Sequence, residues 1–373
     1  MKVLLAGGGT GGHINPALAI ASIIKQHDPS AEFLFVGTPN GMEARLVPAA
    51  GYALETMHVA GFQRKLNWKN IKRNCRAAYY LATSQHRAKQ ILKQFQPDIA
   101  IGTGGYVAGP ILHAAAHMGI PCAIHEQNAF PGVTNKMLAK EVDHVMLTVE
   151  KALDYLHPDC AYTVTGLPVR GGIAGMDRAA ARKKLGFDDG MCILSFGGSL
   201  GARRVNEVVA DLCAWEQKNK KPVLHLHATG QYGVQLFQDL EKKKGFAPGE
   251  SLVVKEYINN MPELLAAADL VISRAGALTL AELEAVGRAA VLIPSPNVAE
   301  NHQYYNAMEL QKAGAAVVIE EKDLTGEKLV QTVSGMLAQP GKLAEMGRNA
   351  RSLSVDDSLD RIADALLKLV KTP

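Results

Sequence analysis

The sequence predicts an α/β protein made of two Rossmann-like domains, each with a parallel sheet, and an interdomain cleft. Three observations lead there. Short apolar runs alternate with helix-length segments along the chain. Most of those runs are continuously apolar, as parallel strands covered on both faces are. The plan of "MKVLLAGGGTGGHINPALAIAS" (strand, glycine-rich turn, helix) returns in "MCILSFGGSLGARRVNEVVADL". This alternation specifies βαβ units. With 373 residues, 47% of them hydrophobic, the chain has enough apolar material for two or three cores, at about 100–200 residues per domain.

The first strands are expected at Val3–Ala6, Glu32–Gly37, Asp98–Thr103, Pro121–Glu126, His144–Val149 and Tyr162–Gly166. "GLPVRGGIAGMD", Gly166–Asp177, then loses all periodicity and reads as a linker. The second series is Met191–Phe196, Pro222–His227, Leu252–Ile258, Leu270–Ser273, Ala289–Pro294 and Ala315–Glu320. Near the end, Leu359, Ile362, Ala363, Leu366 and Val370 share one helical face, which reads as a closing helix. The expected domains are 1–168, joined by a C-terminal helix over 356–373, and 169–355.

Composition narrows the class. A formal charge of +4 is too small to argue for nucleic acid. The five cysteines show no CxxC and no metal-ligand spacing, which suits a reducing compartment; Cys122 and Cys192 sit in apolar runs as core residues. The N-terminal Lys and short apolar run read as a buried strand, not a secretory signal. No stretch approaches the ~20 apolar residues of a membrane span. The expectation is a soluble cytoplasmic protein.

The glycine-rich turns carry the chemistry. Without Cβ, glycines let backbone N–H groups approach a ligand, and the following helix aims its positive end at the same place. That suits a phosphate, a diphosphate or a developing anion. No GK[ST] follows, so this is not a P-loop. Gly37-Thr38 stands where a dinucleotide enzyme needs an acidic residue for its ribose. His13, at the edge of the first turn, is either a cap or core residue or a general base facing the cleft.

"GTGGYVAGP" (Gly102–Pro110, with Tyr106) and "HEQN" (His125–Asn128) also end strands, where an open α/β sheet keeps its site. "HEQN" reads as functional in preference to a loop cap. In the second half, Ser273–Gly276 follow a strand, and Glu282 lies early in the next helix. That carboxylate can accept two ribose hydroxyls or simply favour the helix dipole. Glu300–Asn306 is dense in hydrogen-bonding side chains, as sugar recognition needs. No Asp-x-Asp occurs, so diphosphate charge is expected to be met by helix ends and cations.

Between Glu55 and Asp98 lie nine Lys/Arg and no acid. Trp68, Ile71, Cys75, Ala78, Tyr79 and Ala82 fall at helical spacing among them. Lys69, Lys72 and Arg73 sit beside Trp68 and Ile71. This basic amphipathic stretch reads as a membrane-surface element; the alternative is a solvated helix whose apolar stripe faces its own core.

Taken in order, "GGTGGH", "GTPNGMEARLVP", "GTGGYVAGP", "HEQN", "GGSLGA", "RAGALTLAE" and "HQYYNA" resemble the MurG family of N-acetylglucosaminyltransferases over nearly the whole chain. The resemblance implies a GT-B fold and inverting, metal-independent transfer. GlcNAc would pass from UDP-GlcNAc to the muramoyl C4 hydroxyl of undecaprenyl-linked lipid I, giving lipid II. The protein would sit peripherally on the cytoplasmic face of a bacterial membrane, near an anionic surface and other cell-wall synthesis proteins. UDP-GlcNAc would be a substrate, with no cofactor, no metal and no nucleic-acid partner. The first domain would face membrane and acceptor, and the second would bind the donor.

Residue by residue, the resemblance implies that Thr10, Gly11, Gly12 and Asn128 touch the donor sugar or reacting centre. Arg170 and Ser199 would meet the diphosphate and its surroundings, and Ile258 the uracil through its backbone. Ala277, Leu278, Thr279, Leu280, Ala281 and Glu282 would hold phosphates and ribose. Gln303 would read the GlcNAc. His13 is the family's base with Glu126 as rival, and Tyr106 would place the acceptor. Two departures stand out: Leu200 replaces the usual Gln after the GGS serine, and Leu167 an Asn before Pro-Val-Arg. The competing readings are another GT-B enzyme (a UDP-sugar epimerase or a lipid glycosyltransferase) and a non-enzymatic nucleotide-sugar sensor.

Overall fold

The computed structural model describes residues 1–61, 68–169, 172–187 and 190–371; for residues 68–78, 81–82 and 371 it describes the backbone alone. Contacts divide the chain into two units, Met1–Pro168 with Asp357–Pro373, and Val169–Asp356.

Among the described residues the first unit holds seven strands: β1 (Lys2–Gly7), β2 (Glu32–Gly37), β3 (Ala53–Thr56), β4 (Ile99–Gly104), β5 (Cys122–Glu126), β6 (His144–Leu147) and β7 (Tyr162–Val164). They are parallel, in the order β3-β2-β1-β4-β5-β6-β7. The helices are α1 (Gly11–His27), α2 (Glu43–Ala49), α3 (Trp68–Phe95), α4 (Ala108–His117) and α5 (Val133–Leu138).

The two-residue period of a strand explains the layering. Leu4 and Ala6 of β1 face one core with Ile91 and Leu92 of α3 and Ile111 and Leu112 of α4. Val3 and Leu5 face the other, with Ile14, Ile20 and Ile24 of α1. That second core also takes Ile362 and Leu366 from the last helix of the chain, Ser358–Lys371.

The second unit repeats the plan with β8 (Met191–Phe196), β9 (Val223–Ala228), β10 (Leu252–Lys255), β11 (Leu270–Ser273), β12 (Ala289–Leu292) and β13 (Ala316–Val318), in the order β10-β9-β8-β11-β12-β13. Its helices are α6 (Arg178–Leu185), α7 (Arg203–Lys218), α8 (Val234–Lys244), α9 (Met261–Ala267), α10 (Ala277–Val286), α11 (His302–Lys312), α12 (Gly326–Leu337) and α13 (Pro340–Arg351). The final helix is α14.

β2, β8 and β11 have the limits expected from the sequence. β3 was not expected: four partly exposed residues at the sheet edge carry no apolar run. Several other strands are shorter than expected. After β7 the N–H groups of Thr165 and Gly166 both donate to Leu147 O, which turns the chain out of the ladder. Ile293 and Pro294 extend past β12 because its neighbour β11 has already ended at Ser273.

α3 bears on the basic stretch. The described side chains of its C-terminal half bury Ala88, Ile91 and Leu92 in the core, and Arg87 pairs with Glu55. There the apolar stripe faces the protein's own interior. The side chains of Trp68, Lys69, Ile71, Lys72 and Arg73 lie outside the described residues.

Candidate functional site

In each sheet the strand order reverses once, between β1 and β4 in the first unit and between β8 and β11 in the second. Neighbouring strands there send their chains to opposite faces, which opens a crevice at their carboxyl ends. Both glycine-rich turns singled out in the sequence lie at these two points.

In the first unit, Thr10 is the N-cap of α1 and His13 its third residue. His13 Nδ1 lies 3.0 Å from Gly8 O and 3.4 Å from Thr10 Oγ1. A carbonyl only accepts, so Nδ1 carries the proton and Nε2 keeps the lone pair of the neutral ring. Across the switch point, the Thr103 hydroxyl donates to His13 O at 2.8 Å.

The ring lies over bare Gly104. A Cβ there would sit 2.8 Å from His13 Cδ2 and 3.0 Å from Nε2, and Gly104 has φ +111°. Gly104→Ala therefore strains the backbone and displaces the imidazole together. We expect turnover to fall by about 10²-fold or more, in line with loss of positioned proton transfer. Circular dichroism should remain near wild type, and a steady-state assay would check the loss.

Burial alone would raise the Glu43 carboxyl. The Thr38 hydroxyl and the N–H groups of Gly9 and Thr38 outweigh it and hold the carboxyl below its ordinary value. Sequence reading gave Glu43 no role, since it stands as an ordinary first-turn helix acid.

Three of the four "HEQN" residues are buried. His125 is fully buried; its Nε2 donates to Gly166 O at 3.0 Å, and burial lowers its pKa to about 4. The Gln127 amide donates to His125 O. Glu126 is 2% exposed. Its Oε1 accepts from Asn128 N–H and Asn128 Nδ2 at 2.9 and 3.1 Å. Its Oε2 accepts from Gly132 N–H and Asn135 Nδ2 at 3.1 and 2.8 Å. With two donors on each oxygen, Glu126 ties the loop from β5 to α5 together. Three of the four "HEQN" residues brace the loop, and Asn128 alone among them is not buried. Tyr106 is 63% exposed, with its ring against the bare backbone of Gly61.

In the second unit a cavity of about 470 Å³ opens at the switch point. The Gly197–Gly201 turn, the start of α7 (Ala202, Arg203, Arg204), the start of α10 (Gly276, Thr279), Arg274 and Gln303 contribute to its lining. Two helix N-termini thus meet at one hollow. By helix geometry the N–H groups of Ala277, Leu278 and Thr279 have no intrahelical acceptor. Neither helix has a side-chain cap on its first turn.

Leu280 N–H donates to Gly276 O at 3.1 Å, and the Leu280 and Ala281 side chains are buried. Within the expected donor-contact run it is Ala277, Leu278 and Thr279 whose N–H groups helix geometry leaves over. Glu282 lies on the next turn and is also buried. Gln303 Oε1 accepts from Ser295 N–H at 2.9 Å, which leaves its NH₂ to present as a donor. Ser199 is exposed on the turn. Ile258 buries its side chain, so a ligand would meet its backbone. Leu200 is 55% exposed and lines a second hollow of about 400 Å³ with Tyr232 and Leu236. Arg170 lies outside the described residues. Arg203 and Arg204 were missed, although two arginines opening a helix after a glycine turn were a readable signal.

Among the described residues two groups of metal-type ligands converge: His113, His117 and Glu141, and Cys213, Glu216 and His225. Neither includes a residue chosen from the sequence. In the second group, buried His225 Nδ1 donates to Glu216 at 2.8 Å, and Glu216 holds its pKa up against burial. No helix among the described residues is long and apolar enough to cross a membrane.

The chain matches two family models, the glycosyltransferase family 28 N-terminal domain over residues 3–147 and the C-terminal domain over 192–362. It is 42% identical over 372 residues to the UDP-N-acetylglucosamine--N-acetylmuramyl-(pentapeptide) pyrophosphoryl-undecaprenol N-acetylglucosamine transferase of Acetivibrio thermocellus, covering 100% of this chain and 99% of that one. The protein of the same name from Thermoanaerobacter sp. (strain X514) is 44% identical over 373 residues, covering 100% of both. Among solved structures, MurG of Acinetobacter baumannii superposes with a TM-score of 0.78 at 32% identity, covering 98% of this chain and 99% of that one.

Proposed function

The chain belongs to glycosyltransferase family 28, of GT-B fold, and on that footing we propose that it transfers GlcNAc from UDP-GlcNAc to the C4 hydroxyl of the MurNAc-pentapeptide in undecaprenyl-linked lipid I, forming lipid II. The observation that carries this reading is the cavity at the switch point of the second unit. It offers two helix N-termini and arginines to a diphosphate, and the Gln303 amide to a sugar. Full-length kinship with the named transferases narrows the sugar and the acceptor.

The second unit holds the donor. Uridine lies by the Ile258 backbone and Glu282, and the diphosphate by Ser199, Arg170 and the N–H groups of Ala277, Leu278 and Thr279. The first unit supplies the base and binds the acceptor. Thr10, Gly11, Gly12 and Asn128 line the reacting centre, and Tyr106 places the acceptor sugar.

The acceptor oxygen attacks the anomeric carbon from the face opposite UDP, and His13 Nε2 takes its proton as the new C–O bond forms. The bond to the UDP oxygen breaks with its electron pair, and helix ends and guanidinium groups stabilise the departing diphosphate. One displacement inverts the anomeric centre. Fixed positive charge performs the task a divalent cation performs elsewhere, so the reaction runs without metal.

The test is UDP release from UDP-GlcNAc in EDTA, with and without a short-chain lipid I analogue, and with UDP-GalNAc as donor control. We expect acceptor-dependent release that prefers GlcNAc. Release without acceptor would point to an epimerase or hydrolase, and binding without release to a sensor.

The same reading places the protein peripherally on the cytoplasmic membrane face, with the start of α3 towards anionic lipid. Binding to anionic vesicles should weaken with salt and on replacing Lys69, Lys72 and Arg73 by Gln. Binding in a sedimentation assay that ignores both changes sinks the placement.

A further inference from the structure

We propose that Glu43 is a positioning residue that fixes the tautomer and direction of His13 through one shared peptide bond, Gly8–Gly9. The proposal rests on His13 as the base. Glu43 is fully buried at the start of α2. Its Oε1 accepts from Thr38 N–H at 2.8 Å and from the Thr38 hydroxyl at 2.6 Å. Its Oε2 accepts from Gly9 N–H at 3.0 Å. The carbonyl of that same peptide, Gly8 O, accepts from His13 Nδ1 at 3.0 Å.

A peptide unit is planar, and no cis peptide bond occurs among the described residues. A trans unit points its N–H and C=O in opposite directions. Holding the Gly9 N–H on the carboxylate therefore holds the Gly8 carbonyl on the imidazole. The two hydrogen bonds also polarise each other through the peptide, so the carboxylate's charge strengthens the grip on Nδ1–H. The order is carboxylate, peptide, imidazole, with the Nε2 lone pair at the far end.

The surroundings leave the peptide little choice. A Cβ on Gly8 would lie 2.5 Å from Glu43 Oε1, and one on Gly41 2.3 Å from either oxygen. A Cβ on Gly37 would lie 2.4 Å from Glu43 Cγ. From the other side, a Cβ on Gly105 would lie 2.4 Å from Gly8 O. The Gly8–Gly9 peptide is clamped between Glu43 and the Gly104-Gly105 turn. Bare glycine on every side lets carboxylate, peptide and ring approach this closely.

The experiment uses ¹⁵N-histidine-labelled full-length protein, with the His13 signals assigned by difference from His13→Ala. In the wild type the neutral ring should carry its proton on Nδ1; a proton on Nε2 overturns the proposal without recourse to any variant. In Glu43→Gln the ring should become a mixture of tautomers. Its kcat should fall about 10- to 100-fold, as loss of hydrogen bonding to a charged acceptor implies, with KM for UDP-GlcNAc unchanged. Thr38→Val removes one donor but leaves the Gly9 contact, so it should lower melting temperature while tautomer and kcat stay near wild type. If Glu43→Gln keeps the wild-type tautomer and kcat, or if kcat in both variants merely follows melting temperature, Glu43 is structural only. A tautomer change in Glu43→Gln, alongside a wild-type protein that transfers no sugar, would instead remove the transferase reading and leave the positioning intact.

Discussion

His13→Ala should lower kcat about 10³-fold, roughly 4 kcal/mol of transition-state stabilisation, with KM for UDP-GlcNAc little changed. The magnitude is that of a general base acting on a hydroxyl that is far too weak an acid to lose its proton unaided. The split follows from location. His13 belongs to the first unit, and the cavity offered to the diphosphate is lined by residues of the second. Stability should change little, because His13 is only partly buried and its side-chain bonds are those to Gly8 O and Thr10. His13→Gln sharpens the test: its amide NH₂ can still donate to Gly8 O, but no basic nitrogen remains. It should be as slow as the alanine variant while melting at the wild-type temperature. Single-turnover UDP release with saturating acceptor checks both, and a His13→Ala enzyme keeping more than about a tenth of wild-type kcat would remove His13 as base.

What was legible in the sequence is what local rules dictate. A glycine turn announces itself because no other residue tolerates its backbone: Gly104 and Gly198 have φ of +111° and +98°. Continuously apolar runs mark β8 and β11 because both faces of those strands are covered, and β2, whose second half is buried. Edge strand β3 is partly exposed and short, so no run marks it. Motif and element coincide at His13, third in α1, and at Thr279 and Gln303, which line the cavity of the second unit.

The site was illegible where the decisive partner is remote. Glu43 meets Gly9 from 34 positions away. The chain Glu216–His225–Ser195 is assembled from a helix and two strands, and its His225 and Ser195 lie in β9 and β8, which read as apolar strands. Leu280 and Ala281 were assigned by motif alone. Helix geometry leaves over only the first three N–H groups of α10, and the Leu280 and Ala281 side chains are buried, neither of which the motif shows.

The largest loss of stability should come from Glu126→Ala. Removing the carboxylate strands four donors at once: Asn128 N–H, Asn128 Nδ2, Gly132 N–H and Asn135 Nδ2. Two of these belong to Asn135 and Gly132 at the entry to α5, so the loop from β5 to α5 loses its central tie. Breaking a buried charged network by deleting one partner costs about 3–5 kcal/mol. For a unit of this size that lowers the melting temperature by roughly 6–20 °C. Glu126→Gln separates bracing from catalysis. Its oxygen can still accept from one pair of donors, but its NH₂ faces the other pair, so stability falls by less than in the alanine variant. Activity should then follow folding: near wild type per folded molecule at low temperature, and lost early on warming. A catalytic base would behave in the opposite way. Glu126→Gln would keep its melting temperature and lose about 10³-fold in kcat at every temperature. Calorimetry beside a temperature series of single-turnover rates distinguishes the two. A stable, inactive Glu126→Gln enzyme would return Glu126 to the reacting centre.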